Sequence, residues 1–298
     1  MEGNERSQAS EGQAPRKPPL APGLHIVATP IGNLRDITLR ALDTLQEADL
    51  IACEDTRVFA KLAGHYGIRA PTVAYSDATQ DAAEPRIVEA LSQGKKVALV
   101  SDAGMPLISD PGYRLVRAAL ARGLAVTAVP GPSAVPLALA LSGLPTEKFF
   151  FAGFLPAREG ERRRAIAAAA AVPATLVFFE APHRLPASLH DLADLLGPRP
   201  AAIARELTKL FEEVRRGPLD ELARHYAGHP DVRGEIAIVV GAPDESTAPE
   251  AGALDEALRS ALAGASTRDA AAEIAARYGL KRRDVYARAL ELRREGAA

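Results

Sequence analysis

Short apolar runs alternate along this chain with segments of helical spacing. The runs have the length and the β-branched content of strands, and most of them end in Gly or Pro turns. Between two of them, from Thr38 to Ala48, apolar residues recur at intervals of three and four, which predicts a helix. This alternation predicts an α/β protein with mainly parallel sheets. The predicted strands cover residues 24–29, 50–53, 96–101, 125–129, 148–152, 174–179, 201–205 and 235–240.

Shifts in composition predict how the chain is divided into domains. The N-terminal stretch is rich in Ser, Gln, Gly, Glu and Pro and contains too little apolar surface to order itself. A Gly/Pro turn at 142–145 separates two α/β halves, and the last segment is Ala-rich with helical spacing. The predicted segments are a disordered tail at 1–22, α/β domains at 23–143 and 144–241, a linker at 242–252 and a basic helical module at 253–298.

Composition and charge restrict the class of protein. The chain has 298 residues, 47% of them hydrophobic and 25% charged, which is typical of a soluble globular protein. Its 36 Lys and Arg against 38 Asp and Glu give a net charge of -2, so contact with RNA requires a local basic patch. The segment 268–295 has eight basic residues against five acidic ones, a balance of +3, and is the predicted patch.

The sequence argues against a membrane location and against several common types of site. The longest uncharged apolar stretch, residues 165–179, is short for a membrane span, so we expect a cytoplasmic protein without a membrane partner. The single cysteine, Cys53, lies in an apolar run, which indicates burial and excludes a disulfide or a Cys-based zinc site. Motifs of dinucleotide-binding folds, P-loops, zinc proteases and serine hydrolases are absent from the sequence.

Three Gly- and Pro-containing loops follow predicted strands, at the positions where open α/β sheets bind ligands. The first loop, 29–34, is followed by Asp36, which we expect to cap the next helix. A tight strand-to-helix connection explains this loop equally well. The third loop, 129–134, contains Ser133, which opens a helix either as a simple cap or beside a ligand held by free N–H groups.

The second loop, 101–112, favours a function over a simple connection. It contains two Asp-bearing turns, one at Asp102 and one at Asp110, which is more than a connector requires. Gly104 would let the backbone approach a ligand closely, and Asp102 could accept hydrogen bonds from the hydroxyls of a ribose. The residues alone do not identify that ligand.

Charged residues also follow other predicted strands. For Glu54 and Asp55, acids in the first turn of a helix are a strong alternative to a catalytic role. A single histidine such as His183 is more often a structural hydrogen-bond donor than a catalyst, and Lys209 could be a solvated charge. The remaining candidates at strand ends are Arg57, Glu180 and Arg205.

Five segments are modest signals individually, but their order along the chain is specific for one protein family. They are IVATPIGNLRDITLRALDTLQEADLIACEDTR at 26–57, VSDAGMPLISDPG at 100–112, PGPSA at 130–134, FFEAPHRL at 178–185 and RELTK at 205–209. With them the chain, from about residue 24 to 241, resembles the bacterial 16S ribosomal RNA (cytidine-2′-O)-methyltransferase family of the tetrapyrrole methylase superfamily. A basic C-terminal piece containing residues 281–286 extends the resemblance.

The resemblance implies a fold and an activity. The fold is two α/β domains of the tetrapyrrole methylase type with a cofactor cleft between them, plus a small C-terminal helical module, usually in a homodimer. The activity is 2′-O-methylation of a cytidine in the decoding centre of 16S rRNA, with S-adenosylmethionine as donor, the small ribosomal subunit as partner and no metal. A small-molecule methyltransferase of the tetrapyrrole type, or a catalytically silent RNA-binding protein, are the alternatives.

The resemblance also implies roles for particular residues of this chain. The residues that would line the donor are Pro30, Ile31, Asp102, Ala103, Gly104, Met105, Ser133, Ala134, Phe179 and Leu207. The candidates for the base that takes the hydroxyl proton are Glu54, Asp55, Glu180 and Lys209. The candidates for RNA contact are Arg57, His183, Arg205, Lys281, Arg282 and Arg283.

The sequence departs from the family pattern at two places. Met105 stands where the family usually has Thr, which removes a hydroxyl near the donor. The stretch 75–80 replaces a segment that typically contains His and Asn, and it retains only the Asp, Asp77. The second departure leaves the role of that loop in RNA contact open.

Overall fold

The computed structural model describes residues 19–229, 231–243, 252–278 and 282–295. These residues divide into two compact units, with the boundary between Ser133 and Ala134. The five-segment division based on the sequence, with its boundary at 143/144, stays a prediction. No helix within the described ranges is long and apolar enough to cross a membrane.

Unit 1 alternates strands and helices. Its elements are β1 (Gly23–Val27), α1 (Leu39–Glu47), β2 (Leu50–Cys53), α2 (Thr56–Tyr66), β3 (Thr72–Ala74), α3 (Gln80–Ser92), β4 (Lys96–Val100), α4 (Tyr113–Leu120) and β5 (Val126–Val129). The strand order is β3-β2-β4-β1-β5, and every pair is parallel. The carboxyl ends of all five strands therefore lie at one edge of the sheet, and the loops that follow them are neighbours.

Helices cover both faces of the unit 1 sheet. Successive residues of β2 point to opposite faces: Ile51 and Cys53 pack with residues of α1 and α2, while Ala52 packs with residues of α3 and α4. β1 and β4 are adjacent strands, but the helices that follow them, α1 and α4, pack on opposite faces of the sheet. In doubly wound sheets such a switch point is the usual ligand site, so the loops after β1 and β4 are the first to consider.

Unit 2 contains a mixed sheet. Its elements are α5 (Ala134–Ser142), β6 (Phe149–Phe154), α6 (Glu159–Ala170), β7 (Thr175–Glu180), α7 (Leu185–Leu196), β8 (Pro200–Arg205), β9 (Glu213–Pro218), α8 (Leu219–Ala227) and β10 (Ile236–Val240). The strand order is β6-β7-β10-β8-β9. Only β6 and β7 pair in parallel, and the other pairs are antiparallel.

The prediction of mainly parallel sheets is therefore wrong for unit 2. The physical reason is the connection between β8 and β9, a short loop without a helix, which forces an antiparallel pair. Helices α6, α7 and α8 share a core with one face of this sheet. Helix α5 packs against β8 and β10.

The described C-terminal residues form three helices with a core of their own. They are α9 (Ala253–Gly264), α10 (Thr267–Tyr278) and α11 (Arg282–Glu295). Leu258, Ile274, Val285 and Leu292 are buried together in that core. Outside it, Arg288 pairs with Asp255 at 2.5 Å.

Two local expectations have clear outcomes. Asp36 does not cap α1, because Thr38 holds that position and its hydroxyl accepts from the backbone N–H of Ala41 at 3.1 Å. Asp36 instead lies in a 3-10 turn that Asn33 caps. Cys53 is fully buried as expected, and burial, followed by the charge of Asp102, raises the pKa of its thiol to about 11. The thiol is protonated and unreactive at neutral pH.

Candidate functional site

The loops after β1, β4 and β5 converge within unit 1. Thr29 and Gly104 exchange two backbone hydrogen bonds, at 2.9 and 3.0 Å, which join the first two loops. The hydroxyl of Thr29 also donates to the carbonyl of Ser101 at 3.2 Å. A Cβ built on Gly104 would lie 3.2 Å from Cγ2 of Ile31 and 3.7 Å from the carbonyl oxygen of Pro132. Gly104 is thus the point at which all three loops meet.

The conformation of the second loop explains its sequence. Gly104 has a φ of +80°, a left-handed conformation that favours glycine. Leu107 and Ser109 have φ angles of 72° and 66°, which are uncommon for residues with a Cβ. Two such residues in one loop mark a backbone that its surroundings hold in place, as at many binding sites.

Pro30, Ala103 and Met105 flank this meeting point and are all partly buried, while Ile31 is buried. Ser133 is partly buried at the end of the third loop, and α5 begins at the next residue, Ala134. The two residues belong to different units.

A polar pocket with a volume of about 400 Å³ opens beside the ends of β2, β3 and β4 in unit 1. It is lined by Glu54, Asp55, Thr56, Arg57, Ala74, Ser76, Thr79 and Asp102. Its walls include three of the predicted site residues that follow β2, together with Asp102 from the loop after β4. Its volume lies within the range of small-molecule sites, and its lining contains three carboxyl groups and one guanidinium.

Asp55 and Asp102 organise the wall of this pocket. The backbone N–H of Asp55 donates to Oδ1 of Asp102 at 3.0 Å. Asp55 itself caps α2, accepting from the backbone N–H of Arg57 at 2.8 Å, and it pairs with the guanidinium of Arg57 at 2.6 Å. The hydrogen bond from that side chain lowers the pKa of Asp55 to about 2. Asp55 is therefore ionised, and Arg57 is exposed but held in one orientation.

Glu54 differs from Asp55 in its surroundings. Burial, followed by the negative charge of Asp102, raises the pKa of Glu54 above its ordinary value. Asp110 lies in the same group of charges: burial raises its pKa to about 6, a hydrogen bond with Ser101 opposes the shift, and the charges of Glu54 and Asp102 add to it. Of the two, only Glu54 is among the residues that line the pocket, and a carboxyl group with a raised pKa there is suited to proton transfer near neutral pH.

Ser76 and Thr79 also line the pocket and are not among the site residues predicted from the sequence. The hydroxyl of Thr79 accepts from the backbone N–H of Ser76 at 2.9 Å and donates to the carbonyl of Ala74 at 3.2 Å. They belong to the stretch 75–80 that departs from the family pattern. The signal that could have found them is their position after β3, a three-residue strand that the sequence reading did not predict.

In unit 2, Glu180 is the last residue of β7, and its carboxylate is enclosed by hydrogen bonds and an ion pair within the protein. The residue is 2% exposed. Its carboxylate accepts from the backbone N–H of Ala181 at 2.7 Å and from the hydroxyl of Ser188, and it pairs with Arg184 at 2.7 Å. Every one of these contacts is internal, so the arrangement fits a structural carboxylate that joins β7 to α7. His183, in the turn between them, is exposed.

Phe179 is the penultimate residue of β7, and Leu207 lies in the loop after β8, a strand that β10 separates from β7. The ring of Phe179 is 4.9 Å from that of Phe151 and 5.4 Å from that of Phe154, measured between centroids. Leu207 is buried, and its neighbours Glu206 and Thr208 have left-handed φ angles of 52° and 67°. The loop after β8 is therefore a second place where the backbone is held in an uncommon conformation.

Lys209 and Arg205 are engaged with carboxylates of unit 2. The ammonium group of Lys209 donates to Glu206 at 2.6 Å and to Glu235 at 2.7 Å. Partial burial lowers the pKa of Lys209, but these two hydrogen bonds outweigh it and the net pKa is raised. Lys209 is therefore a cation at neutral pH. Arg205 pairs with Glu213 at 3.0 Å.

The candidate RNA-contacting residues of the C-terminal helices are only partly described. Arg282 and Arg283 are exposed in the first turn of α11, and Arg283 lies 3.7 Å from Asp284. Lys281 lies outside the described residues. Cations at a helix N-terminus oppose the helix dipole, so helix stability does not explain these two arginines.

Two family models match the chain. One, described as tetrapyrrole (corrin/porphyrin) methylases, matches residues 23–223. The other, described as the RsmI C-terminal HTH domain, matches residues 248–293. Between them, only residues 224–247, which include the end of α8 and β10, are not matched.

Relatives of known name are similar over most of the chain. A protein of Mesorhizobium japonicum named "Ribosomal RNA small subunit methyltransferase I" is 52% identical over 92% of this chain and 94% of its own length. A protein of the same name from Halalkalibacterium halodurans is 43% identical over 88% of this chain and 93% of its own length.

Solved structures share the fold at lower identity. Diphthine synthase matches with a TM-score of 0.58 at 16% identity, covering 73% of this chain and 89% of that one. A uroporphyrin-III-C-methyltransferase from Thermus thermophilus matches with a TM-score of 0.52 at 22% identity, covering 73% and 93%. These likenesses confirm the predicted fold class, and the relatives confirm the resemblance found in the sequence. The chain belongs to the tetrapyrrole methylase family, and within it to the ribosomal RNA small subunit methyltransferase I proteins.

Proposed function

We propose that this protein transfers a methyl group from S-adenosylmethionine to the 2′-hydroxyl of a cytidine in the decoding centre of 16S rRNA. The observation that carries the proposal is the 52% identity, over 92% of the chain, to a relative named for methylation of small-subunit ribosomal RNA. The pocket in unit 1 supports it, since a cavity of about 400 Å³ brings the candidate base Glu54 together with Asp102 and Arg57. We place the enzyme in the cytoplasm, as a homodimer.

The three converging loops fit the donor. Gly104 is buried and both of its backbone groups bond to Thr29, so its missing side chain serves the close approach of the loops to one another, and a Cβ there would crowd Ile31. Oδ1 of Asp102 is occupied by the N–H of Asp55, whereas Oδ2 accepts no hydrogen bond from the described part of the chain. Asp102 can therefore accept from a ribose hydroxyl of the donor without losing its internal contact.

The candidate donor residues are described unit by unit. In unit 1 they are Pro30, Ile31, Asp102, Ala103, Gly104, Met105 and Ser133, and in unit 2 they are Ala134, Phe179 and Leu207. When bound, S-adenosylmethionine supplies an electrophilic methyl group. The work left to the protein is to orient the acceptor hydroxyl and to remove its proton.

Glu54 is the base that the contacts favour. Asp55 is held ionised by Arg57, and Lys209 is held protonated by two carboxylates. Glu180 has no side-chain oxygen free of an internal partner. Glu54 combines a place in the pocket with a raised pKa, the two properties that a general base near neutral pH requires.

Two separate groups of cations are candidates for RNA contact. Arg57 stands exposed at the pocket rim with its guanidinium oriented by Asp55, which suits a phosphate of the target strand. Arg282 and Arg283, with Lys281 beside them in sequence, provide the C-terminal patch, supported by the match to the RsmI C-terminal HTH domain. His183 and Arg205 remain further candidates.

The decisive experiment is transfer of labelled methyl groups from S-adenosylmethionine to small ribosomal subunits that lack their own modification, with nuclease mapping of the product. We expect 2′-O-methylcytidine in 16S rRNA. Donor binding without transfer would favour a small-molecule acceptor, as the name of the uroporphyrin-III-C-methyltransferase with the same fold indicates for that protein. Failure to bind the donor would favour a silent RNA-binding protein.

A further inference from the structure

Helix α11 carries three different stripes of side chains along its length. Val285, Ala289 and Leu292, at positions i, i+4 and i+7, are buried in the core of the C-terminal helices. Because residues three and four positions apart lie on one face of a helix, most of the remaining side chains fall into two exposed stripes, one on either side of the buried one. These two stripes differ in charge.

One exposed stripe is closed by its own ion pairs. Its members are Asp284, Arg288, Glu291 and Glu295. Arg288 pairs with Glu291 at 2.7 Å, lies 3.4 Å from Glu295 and also pairs with Asp255 of α9. Charges of alternating sign at this spacing are typical of a helix face that salt bridges stabilise in water. We call these four residues the paired stripe.

The other exposed stripe consists of Arg283, Tyr286, Leu290 and Arg294, and we call it the α11 stripe. It contains no acidic residue, and Tyr286 and Leu290 are exposed between the two arginines. The side chain of Arg283 is 96% exposed and lies 3.7 Å from that of Asp284. Exposed ion pairs of this kind contribute little, so the guanidinium is available to a stronger anionic partner.

The positive charge of α11 is concentrated on the side of the α11 stripe. Within the described residues, Arg282 and Arg294 have no carboxylate partner, and Arg293 donates only to the carbonyl of Ala265 at 3.3 Å. α11 contains five arginines against three acidic residues, whereas α9 has one against two and α10 has two against two. Of the three C-terminal helices, α11 is therefore the one with a net positive charge.

We propose that the α11 stripe binds the phosphodiester backbone of the target RNA, with its two arginines on separate phosphates and Tyr286 and Leu290 against the sugars between them. The inference rests on the proposed function for its partner, and it adds Tyr286, Leu290 and Arg294 to the candidate cations at the start of the helix. At about 1.5 Å per residue, Arg283 and Arg294 lie roughly 16 Å apart along the helix axis, so a single phosphate cannot engage both.

The order of the helices supports a nucleic acid as the partner. α10 and α11 are consecutive helices, three residues apart, within a segment that matches an HTH domain. In helix-turn-helix domains the second helix is the one that enters the nucleic acid. The major groove of helical RNA is too deep and narrow for side chains to read. An arginine-rich helix therefore contacts RNA through phosphates and sugars, which position the protein without reading the sequence.

The salt dependence of binding counts the phosphates that are contacted. Each phosphate contact releases counterions, so the slope of log affinity against log salt concentration becomes shallower when a contact is lost. Arg283→Gln and Arg294→Gln should each make the slope shallower by about 0.7–0.9, and the double variant by about twice that amount. The measurement is the affinity of the full chain for unmodified 16S rRNA over a series of KCl concentrations.

Arg259→Gln is the matched control, because it removes the same charge beside the paired stripe. Arg259 is 61% exposed on α9 and lies 4.0 Å from Glu295. Its slope should equal that of the unmodified protein, and the affinity for S-adenosylmethionine should be normal in every variant. An equal change in all three single variants would mean that net charge, and not the α11 stripe, determines the affinity, and the proposal would be overturned.

The same variants distinguish this proposal from the proposed activity. Binding to 16S rRNA without S-adenosylmethionine reports RNA contact even if no methyl group is transferred. An unchanged slope in the double variant, with normal methylation, would remove the α11 stripe from RNA binding and leave the activity intact. If the double variant loses affinity for small ribosomal subunits but not for naked 16S rRNA, the stripe contacts an acidic protein of the subunit and the RNA proposal is wrong.

Discussion

The backbone N–H of Asp55 donates to Oδ1 of Asp102 at 3.0 Å. This hydrogen bond joins the loop after β2 to the loop after β4, two segments 47 positions apart in sequence. Asp102 thereby borders both the meeting point of the donor loops and the pocket that contains Glu54. A single carboxylate can hold the donor with one oxygen, fix the pocket wall with the other and raise the pKa of the proposed base by its charge.

Replacing the proposed base should lower the rate and leave binding unchanged. Glu54→Gln keeps the size of the side chain but removes its ability to accept a proton. We expect kcat to fall by roughly 10²- to 10⁴-fold, with the affinity for S-adenosylmethionine, measured by calorimetry, close to that of the unmodified protein. Glu89→Gln, an exposed carboxyl group on α3, is the matched control and should have normal kcat. A fully active Glu54→Gln variant would assign the proton to another group.

The charge of Asp102 should be visible in the pH dependence of the reaction. If Glu54 must be deprotonated to act, kcat rises with pH through the pKa of Glu54. Burial is the first cause of its raised pKa, and the charge of Asp102 is the second. Asp102→Asn keeps an oxygen for the N–H of Asp55 but removes the charge, so the pKa falls and the acidic limb of the profile moves to lower pH.

The measurement is the pH profile of kcat at saturating S-adenosylmethionine, so that weaker donor binding does not enter. Asp77→Asn is a useful companion, because the charge of Asp77 also raises the pKa of Glu54 but contributes less. It should move the limb in the same direction by a smaller amount. An acidic limb that neither variant moves would speak against Glu54 as the ionising group.

The local signals in the sequence predicted most of the strands but not all of them. β1, β4 and β10 are apolar runs bounded by turns, and each lies within one to two residues of its predicted bounds. β3 has only three residues, and β9 is an edge strand whose sequence EVRRGP carries three charged side chains. An exposed edge needs no apolar pattern, so neither strand has a signal that a period of two could reveal.

The positions of the site residues were predictable, but their partners were not. That loops after parallel strands meet at one edge follows from the alternation of elements alone. Whether a carboxylate at that edge is free depends on residues distant in sequence or on the opposite side of a turn. Glu180 and Glu54 both follow predicted strands, yet only the structure reveals that Ser188 and Arg184 enclose Glu180.

A buried ion pair in unit 2 should contribute strongly to stability. Arg162 on α6 and Asp191 on α7 pair at 2.7 Å, and their side chains are only 7% and 3% exposed. Asp191→Ala leaves the guanidinium of Arg162 buried without its counter-charge, so the free energy of unfolding should fall by about 3–5 kcal/mol. Asp194→Ala is the control: Asp194 pairs with Arg163 but is 53% exposed, and its loss should be much smaller. Urea denaturation of both variants measures the difference, and equal losses would contradict the dependence on burial.

Gly104 should be required for donor binding beyond its effect on stability. With a φ of +80°, alanine at this position adopts a left-handed conformation that costs about 1–2 kcal/mol. Its Cβ would also lie 3.2 Å from Ile31 and project into the point where the three loops meet. Gly104→Ala should therefore lower both the free energy of unfolding and the affinity for S-adenosylmethionine.

The variant Gly67→Ala separates the loss of stability from the loss of donor affinity. Gly67 has a φ of +67° after α2, but a Cβ there would meet nothing within 4 Å. Gly67→Ala should therefore show the backbone cost in urea denaturation while binding S-adenosylmethionine normally in calorimetry. Because the two glycines share the left-handed conformation and differ in their surroundings, a loss of donor affinity in Gly104→Ala alone is attributable to the converging loops. An equal loss in both variants would mean that general destabilisation, and not the shape of the site, weakens the donor.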